Sequence, residues 1–257
     1  MSVMAPVEAG APPAKIMMEL ISGKCLSRCV SLAAELAIAD MLSDGPKSIV
    51  TLAQGTGTRP DPLYRVLRTL AAVGVFDELL NRYFRNSSLS ATLISGIEHS
   101  VRHYARWFGR ELHWRMYAGL ETSVRTGRPW AVNEYPDKTP FQVLAENPAD
   151  QDVFNQAMAE LSEVDGPALA QAYDFGPFQT IVDIGGGHGA LARLIAGKAP
   201  RAKVMVFDLP PRDRECAKAA GGPRLVQSDL PQGRQFPRRC AGAYGSLCFE
   251  AHPPRLE

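Results

Sequence analysis

The sequence lacks both an excess of charge and long apolar runs, and each absence narrows the classes of function. Its 28 Lys and Arg residues balance 27 Asp and Glu residues, which leaves a formal net charge of +1 at pH 7. Proteins that bind nucleic acids or membrane surfaces usually carry an excess of basic residues, so neither partner is expected. A transmembrane helix needs about 18 consecutive apolar residues, and no run in this sequence approaches that length.

Cysteine is also scarce, and its spacing is not that of a metal site. The five cysteines lack the C-x-x-C pairs of structural zinc sites, so no metal is expected. Cys25 and Cys29 share one helix face, where we expect buried thiols. Residues 1–13 are rich in Ala and Pro and lack the basic and apolar segments of a signal peptide, so we expect a disordered leader. These features favour a cytoplasmic protein.

The segment 14–100 predicts a helical domain that contains a β-hairpin. Apolar residues recur at helical spacing in 15–41, and a short helix is predicted at 48–53. A proline after Asp61 opens a further helix. Its apolar residues predicted to face inward are Leu63, Val66, Leu67, Leu70 and Val73. A hairpin over 74–84 follows, and three helices with a hairpin are typical of a winged-helix domain.

Residues 101–175 predict further helices, with a proline-rich connection before a helix at 148–173. An aromatic stretch runs from Trp107 to Tyr117 and includes His113. Two interpretations stay open for this stretch, a pocket for planar rings or core packing between helices, and the pattern favours the second.

After these helices the pattern changes to alternating strands and helices. Thr180–Ile184 predicts a strand that leads into a glycine cluster, and helical periodicity resumes at 191–195. Further strands are predicted at 203–207 and 224–227. Strand, glycine turn, helix and strand form a βαβ unit, so 176–230 is expected to be part of a doubly wound α/β domain with a parallel sheet.

The ends of the three predicted strands carry residues suited to an adenosine cofactor. Asp183 ends the first strand and is followed by Gly185 and Gly187, and glycines there allow a sharp turn and a close approach of the ligand. Asp208 ends the second strand, where a carboxylate can accept both hydroxyls of a ribose. Asp229 ends the third, in a position suited to an adenine amino group.

The motif is compatible with two cofactors, NAD and S-adenosylmethionine (SAM). Gly185, Gly187 and Ala190 also satisfy the G-x-G-x-x-A fingerprint of dinucleotide-binding proteins, which favours NAD. However, Asp183 gives the longer pattern D-x-G-x-G-x-G, which suits a cofactor with an amino-acid end and no pyrophosphate. The motif also lies behind a long helical domain. We therefore predict SAM as the cofactor.

Several sequence blocks occur in order along the chain: 32–40, 68–76, 123–127, 154–158 and 182–189. With these blocks, residues 14–230 resemble the SAM-dependent O-methyltransferases of plant phenolic and bacterial polyketide or pigment pathways. The resemblance implies a winged-helix domain that forms an intertwined homodimer, followed by a Rossmann-like methyltransferase domain. It also implies methylation of a hydroxyl on a small aromatic or polyketide-like molecule in secondary metabolism.

The resemblance also assigns site residues by position. Its SAM contacts match Gly185, Asp208, Asp229 and Leu230. A helix that borders the SAM and substrate cleft in the family carries four matching residues here, Phe154, Asn155, Met158 and Ser162. Ordinary core packing is the alternative role for those four.

One expected segment is missing. In the family, a fourth strand ends in a Leu-His-Asp-Trp type segment whose His is the general base. Residues 231–257 contain no such segment and are rich in Arg and Pro, so we interpret them as an aberrant tail and assign no catalytic residue. Codons for 248–257, read one base later, can encode Val-Leu-Lys-Arg-Ile-Leu-His-Asp-Trp. We therefore hypothesise a truncated or frameshifted C-terminus, with the shift between about Ser228 and Tyr244.

The missing segment predicts an unpaired sheet edge after the third strand, weak SAM binding and impaired catalysis. Two other functions stay open. One is a non-catalytic SAM-binding or dimerisation partner of an intact methyltransferase. The other is a winged-helix DNA-binding regulator, for which Arg59, Arg65 and Arg68 supply positive charge. The near-zero net charge argues against the regulator.

Overall fold

The structure, a computed structural model, describes residues 12–186, 189–208, 224–226 and 247–250. The chain divides into two compact units, residues 1–157 and residues 158–257. We call them the first unit and the second unit. Each has a hydrophobic core of its own among its described residues.

Residues 13–91 of the first unit form helices and a small antiparallel sheet. The helices are α1 (Pro13–Glu35), α2 (Ile38–Met41), α3 (Ile49–Thr56), α4 (Pro60–Ala72) and α5 (Ser88–Ala91). The strands are β1 (Lys47–Ser48), β2 (Phe76–Leu79) and β3 (Tyr83–Asn86), with a 3-10 turn at Leu80–Arg82. The strand order is β1-β3-β2. The predicted hairpin is confirmed, whereas β1 is not predicted because two residues are too few to show an alternating pattern.

Local sequence explains where these helices begin and end. Ala37 adopts a left-handed conformation with φ of 52°, which separates α1 from α2 in the segment predicted as one helix. The Ser48 hydroxyl accepts a hydrogen bond from the Thr51 N–H at 3.1 Å and thereby caps α3. Gly57, with φ of 65°, ends that helix. Pro60 occupies the first turn of α4, where its missing N–H costs nothing.

The core of the first unit lies between these helices and the sheet. Its fully buried side chains include Ile38, Leu52, Leu67, Leu70, Phe76 and Phe84. Three residues predicted to face inward on α4, Leu63, Leu67 and Leu70, are buried, and Val66 packs partly against the core. The prediction for Val73 is wrong, since this residue is 50% exposed. It follows the last residue of α4 and therefore no longer continues the inward face.

Residues 102–172 are helical, in shorter pieces than predicted. The helices are α6 (Arg102–Phe108), α7 (Glu111–Ala118), α8 (Leu120–Thr126), α9 (Trp130–Glu134), α10 (Pro140–Ala145) and α11 (Pro148–Ala172). The predicted helix at 148–173 is confirmed as α11. The segment 101–126 is divided at Gly109 and Gly119. A Cβ atom on Gly119 would overlap the Trp130 ring, so the glycine is needed for that ring to pack against the chain.

The last of these helices contains a proline. Pro167 lies inside α11 and follows Gly166. Gly166 is buried, and a Cβ on it would lie 2.5 Å from Leu194 Cδ1. Both residues belong to the part of α11 in the second unit.

The second unit contains the strand–turn–helix–strand unit that the sequence predicts. Its elements are β4 (Thr180–Ile184), α12 (Ala190–Lys198), β5 (Lys203–Asp208), β6 (Arg224–Val226) and β7 (Leu247–Glu250). The strand order is β6-β5-β4-β7, and β4 and β5 are parallel, with Ile184 opposite Phe207. Ile181, Ile195 and Val204 form the centre of the core around this pair.

The outer strands of this sheet differ from the sequence predictions. β6 pairs antiparallel with β5, where a parallel strand is expected. β7 lies in the segment interpreted as an aberrant tail and pairs antiparallel with β4. The expectation of an unpaired sheet edge is therefore wrong for β4. A short apolar run predicts a strand, but it gives neither the direction nor the partner of that strand, because side chains alternate in the same way in both pairings.

Three smaller features complete the fold. Cys25 is exposed and Cys29 half-buried, so the expectation of a buried thiol is wrong for Cys25. Among the described residues, no helix combines the length and hydrophobicity needed to cross a membrane. In the same part of the chain, no cluster of three His, Cys, Asp or Glu side chains is arranged to hold a metal ion.

Candidate functional site

The turn after β4 is held by backbone hydrogen bonds and left-handed glycines. Gly185 has φ of 75°, and its N–H donates to the carbonyl oxygen of Phe207 at 2.7 Å. Gly189 also has φ of 75°, and its N–H donates to the Gly186 carbonyl oxygen at 2.7 Å. Side chains other than glycine rarely adopt this conformation. The path of the backbone therefore requires glycine at positions 185 and 189.

At two glycines of this turn a side chain would be crowded. A Cβ on Gly186 would lie 2.5 Å from Oδ2 and 2.6 Å from Cγ of Asp183, which is itself only 6% exposed. A Cβ on Gly189 would lie 3.1 Å from Cγ2 of Val206. The backbone at Gly186 thus packs directly against the Asp183 side chain, which leaves no space for a Cβ between them.

The second predicted contact lies at the same edge of the sheet. Because Ile184 is opposite Phe207, the backbone of Asp208 lies beside the start of the glycine turn. The carboxyl ends of β4 and β5 therefore lie side by side. The sequence predicts that the glycine turn after β4 and Asp208 of β5 contribute to one site, and this arrangement agrees with that prediction. The side chain of Asp208 lies outside the described part of the chain, as do Gly187, Asp229 and Leu230.

The four residues expected to border the substrate all lie on α11. Phe154 is half-buried and Asn155 is exposed, and both belong to the first unit. Met158 and Ser162 are half-buried and belong to the second unit. The Ser162 hydroxyl donates to the Met158 carbonyl oxygen at 2.9 Å, so it is already bonded within its own helix.

Six ring-bearing side chains of the first unit form a continuous series of contacts, which we name the ring strip: Tyr117, His113, Phe108, Trp107, Phe154 and Phe141. The His113 ring centroid lies 5.0 Å from that of Tyr117, 4.3 Å from that of Phe108 and 5.5 Å from that of Trp107. Phe154 continues the series, 5.1 Å from Trp107 and 6.3 Å from Phe141. Burial lowers the pKa of His113, which is therefore neutral at pH 7.

An ion-pair network that the sequence does not reveal connects three helices of the first unit. Glu35 of α1 accepts hydrogen bonds from Arg106 at 2.7 and 3.3 Å. Arg110 lies 4.0 Å from Glu35 and donates to the buried Asp150 at the start of α11. The hydrogen bond from Arg106 is the main cause of the lowered pKa of Glu35. These partners are far apart in sequence, so no local pattern could identify them.

Two family profiles match the chain. One, described as an O-methyltransferase dimerisation domain, matches residues 18–96, and the other, described as an O-methyltransferase domain, matches residues 117–220. Together they include α2 to α5, strands β1 to β3, the glycine turn and the parallel strands β4 and β5.

Individual relatives extend the match. Phenazine O-methyltransferase PhzM of Lysobacter antibioticus is 38% identical over 86% of this chain and 63% of its own length. O-methyltransferase SfmM3 of Streptomyces lavendulae is 31% identical over 92% of this chain and 67% of its own length. The chain thus spans less than two thirds of the phenazine enzyme.

Solved structures of methyltransferases are also similar to this chain. The structure of LaPhzM has a TM-score of 0.72 and 36% identity, with 81% of this chain and 64% of that chain covered. CalO1, a methyltransferase in calicheamicin biosynthesis solved in its SAH-bound form, has a TM-score of 0.65 and 26% identity, with 76% of this chain and 58% of that chain covered.

Proposed function

The chain belongs to the O-methyltransferase family, and from this membership we propose that it transfers a methyl group from SAM to a hydroxyl of a small aromatic molecule. The resemblance predicted from the sequence is confirmed by the family matches. The fold class is confirmed as well: a helical dimerisation domain precedes an α/β methyltransferase domain. SAM, the predicted cofactor, is the cofactor of this family.

The observation that carries the proposal is the glycine turn after β4. Gly185 and Gly186 follow the carboxyl end of β4 without side chains, and ligands of open α/β sheets bind at the carboxyl ends of the strands. Asp183, Gly185 and Gly187 would hold the amino-acid end of SAM, while Asp208 would accept hydrogen bonds from its ribose. Asp229 and Leu230 would contact the adenine. When bound, SAM supplies an electrophilic methyl group on a positively charged sulfur.

The substrate class follows from the relatives. PhzM is named for a phenazine, a planar aromatic substrate. We propose a hydroxylated aromatic or polyketide-like acceptor from secondary metabolism, bordered by Phe154, Asn155, Met158 and Ser162 of α11. Because the reaction needs little more than positioning and deprotonation, helices that hold the acceptor still contribute directly to its rate.

Calorimetry with purified protein tests the cofactor assignment. We expect heat of binding with SAM and with its demethylated product, and none with NAD. Clear binding of NAD without binding of SAM would overturn the assignment. A panel of polyphenols with methyl-labelled SAM then tests for methyl transfer.

We further propose that the chain as given turns over slowly. A phenol has a pKa of about 10 and needs a general base near neutral pH, a contribution of roughly 100-fold or more. The base segment that the resemblance predicts is not found in residues 231–257. Sequencing the gene between codons 228 and 257 tests the proposed frameshift. If the nucleotide sequence, read one base later, does not encode the Leu-His-Asp-Trp type segment, the frameshift is excluded. A chain with the frame corrected should be faster by about two orders of magnitude, and equal rates would exclude the impairment.

We also propose a homodimer formed through the first unit. Met17, Met18 and Ile21 of α1 are 56%, 68% and 65% exposed, an unusual state for large apolar side chains on one helix. The dimerisation profile begins at residue 18, within this helix. Light scattering should give twice the chain mass of 27.9 kDa, and Ile21→Glu should give the monomer mass. A monomeric wild-type protein would contradict the proposal.

A second candidate is a non-catalytic partner that pairs with an intact methyltransferase in the cytoplasm. The exposed apolar face of α1 supports either kind of dimer. Co-purification of the tagged chain from its own host distinguishes them, because only the non-catalytic partner brings down a longer methyltransferase chain in equal amount.

A further inference from the structure

Two free cysteines lie one turn apart on α1. Cys25 and Cys29 are separated by four positions in a helix that continues from Pro13 to Glu35. Residues at this spacing lie on the same helix face, with about 5–6 Å between their Cβ atoms. Cys25 is exposed and Cys29 is half-buried, so solvent reaches the pair from the outer side of the helix. The two thiols are therefore both neighbouring and accessible.

The helical spacing does not suit a disulfide between these two residues. A disulfide needs about 3.5–4.5 Å between the Cβ atoms, which is shorter than the distance across one helical turn. Metal–thiolate bonds are about 2.3 Å long, so an ion held in line between two sulfurs separates them by about 4.6 Å. The regular geometry of α1 therefore accommodates a bridging ion better than a direct sulfur–sulfur bond.

A positive charge lies beside the pair. Burial is the main reason that the pKa of Cys29 is raised, and the neighbouring Cys25 thiol raises it further, whereas the Arg28 guanidinium acts in the opposite direction. Arg28 is held in place by a hydrogen bond of 3.2 Å from its Nη1 to the Gly109 carbonyl oxygen. Two thiolates that bind a monovalent cation keep one negative charge, and the Arg28 charge would stabilise it.

The number of available ligands selects the kind of ion. Within the described part of the chain, no three His, Cys, Asp or Glu side chains are grouped so as to hold a metal. Structural zinc takes four ligands, so the argument against zinc from the cysteine spacing still applies. Thiolates are soft ligands that select Cu(I), and this ion is satisfied by two ligands in a line.

We propose that Cys25 and Cys29 form a two-thiolate site for Cu(I). Each thiol releases its proton to solvent and forms one sulfur–copper bond, so two protons are released per ion and no electron is transferred. The site uses none of the residues proposed to bind SAM. Cys25 follows Ile21 by one turn, so the ion would lie beside the exposed apolar face of α1.

Competition under anaerobic conditions tests the proposal. The full chain is titrated with Cu(I) against bicinchoninate, a Cu(I) chelator whose complex is coloured. Cys25→Ser, Cys29→Ser and the double variant should all bind Cu(I) at least about 100-fold more weakly than the wild type, because a single thiolate cannot chelate. The two single variants should therefore resemble the double variant. The other three cysteines are the same in all four proteins and give a common background.

Two results of this titration would overturn the proposal. One is equal binding by the wild type and the double variant. The other is a pair of single variants whose effects simply add, which indicates two independent thiols. Native mass spectrometry adds the stoichiometry: we expect one ion per chain through this site, and one ion shared between two chains would also contradict the proposal.

Moving one thiol provides a matched control for the spacing. On the background of Cys29→Ser, Ser22→Cys places a thiol three residues before Cys25 on the same face, so tight binding should return. Ser27→Cys on that background places it two residues after Cys25 on another face, so binding should stay weak. Both changes replace a hydroxyl with a thiol, and circular dichroism checks that the helices are retained. Equal binding by the two variants would show that copper takes any two cysteines, which excludes the helical site.

Discussion

The two units of the chain depend on opposite features of their residues. The first unit is held by large buried side chains, such as Leu67 and Phe84, and by ion pairs between distant helices. The proposed cofactor site of the second unit depends instead on the absence of side chains, at Gly185 and Gly186. The first unit should therefore be damaged by removing atoms and the second by adding a single carbon. The predictions below run from the largest expected effect to the smallest.

Leu67→Ala should give the largest loss of stability. Leu67 is fully buried in the core of the first unit, and such a truncation costs about 2–5 kcal/mol because it leaves a cavity. Leu89→Ala removes the same atoms from a side chain that is 55% exposed and should change stability by less than about 0.5 kcal/mol. Urea unfolding of both variants measures the difference. Equal values would show that the core of the first unit does not carry its stability.

Gly186→Ala should cause the largest loss of function at the cofactor site. The added Cβ would lie 2.5 Å from Asp183 Oδ2, so the turn must shift, and SAM affinity should fall by about 100-fold, equivalent to about 2.7 kcal/mol. Gly197→Ala is the matched control, since a Cβ there meets nothing within 4 Å in α12. That change should instead stabilise the helix by about 0.5–1 kcal/mol. If both variants bind SAM equally, the crowded turn is not the cofactor site.

The two units also differ in how much of their structure could be predicted from the sequence. The glycine turn could be predicted because Asp183 and the following glycines are adjacent in the chain, and the position of Asp208 at the same edge follows from two parallel strands. Contacts such as Arg110 with Asp150 could not be predicted, because 40 residues separate them. The direction of strand β6 and the pairing of β7 could not be predicted either, because a short apolar run does not indicate which strand it pairs with.

Acid should destabilise the first unit through His113. Burial lowers the pKa of His113 below its ordinary value of 6.5. The unfolded chain therefore binds a proton at higher pH than the folded chain, so stability is full above about pH 6.5 and falls as the pH drops below it. The fall ends once the pH is below the folded-state pKa. Thermal midpoints at pH 5 and 7.5 should differ less in His113→Phe than in the wild type, and an identical difference would contradict the prediction.

Glu35 should have the smallest effect, and at lower pH. Its pKa is lowered from 4.5, so its ion pairs contribute stability above that pH and lose it as the pH falls through the folded-state pKa. Because the side chain is 43% exposed, solvent screening limits the contribution to about 0.5 kcal/mol. Glu35→Gln should reduce the pH dependence of stability below about pH 4.5 and leave the region around pH 6 unchanged. A change confined to pH 6 would instead indicate His113.

The proline inside α11 has a consequence for how that helix exchanges its amide hydrogens. Pro167 has no N–H, so the Glu163 carbonyl lacks the donor that a regular helix provides one turn later. The neighbouring Gly166 has no side chain to stiffen this turn, and the end of the Leu194 side chain packs against it. The backbone amides of this turn should therefore exchange with deuterium faster than those of the turns on either side. Such a result would mean that α11 opens locally at Pro167.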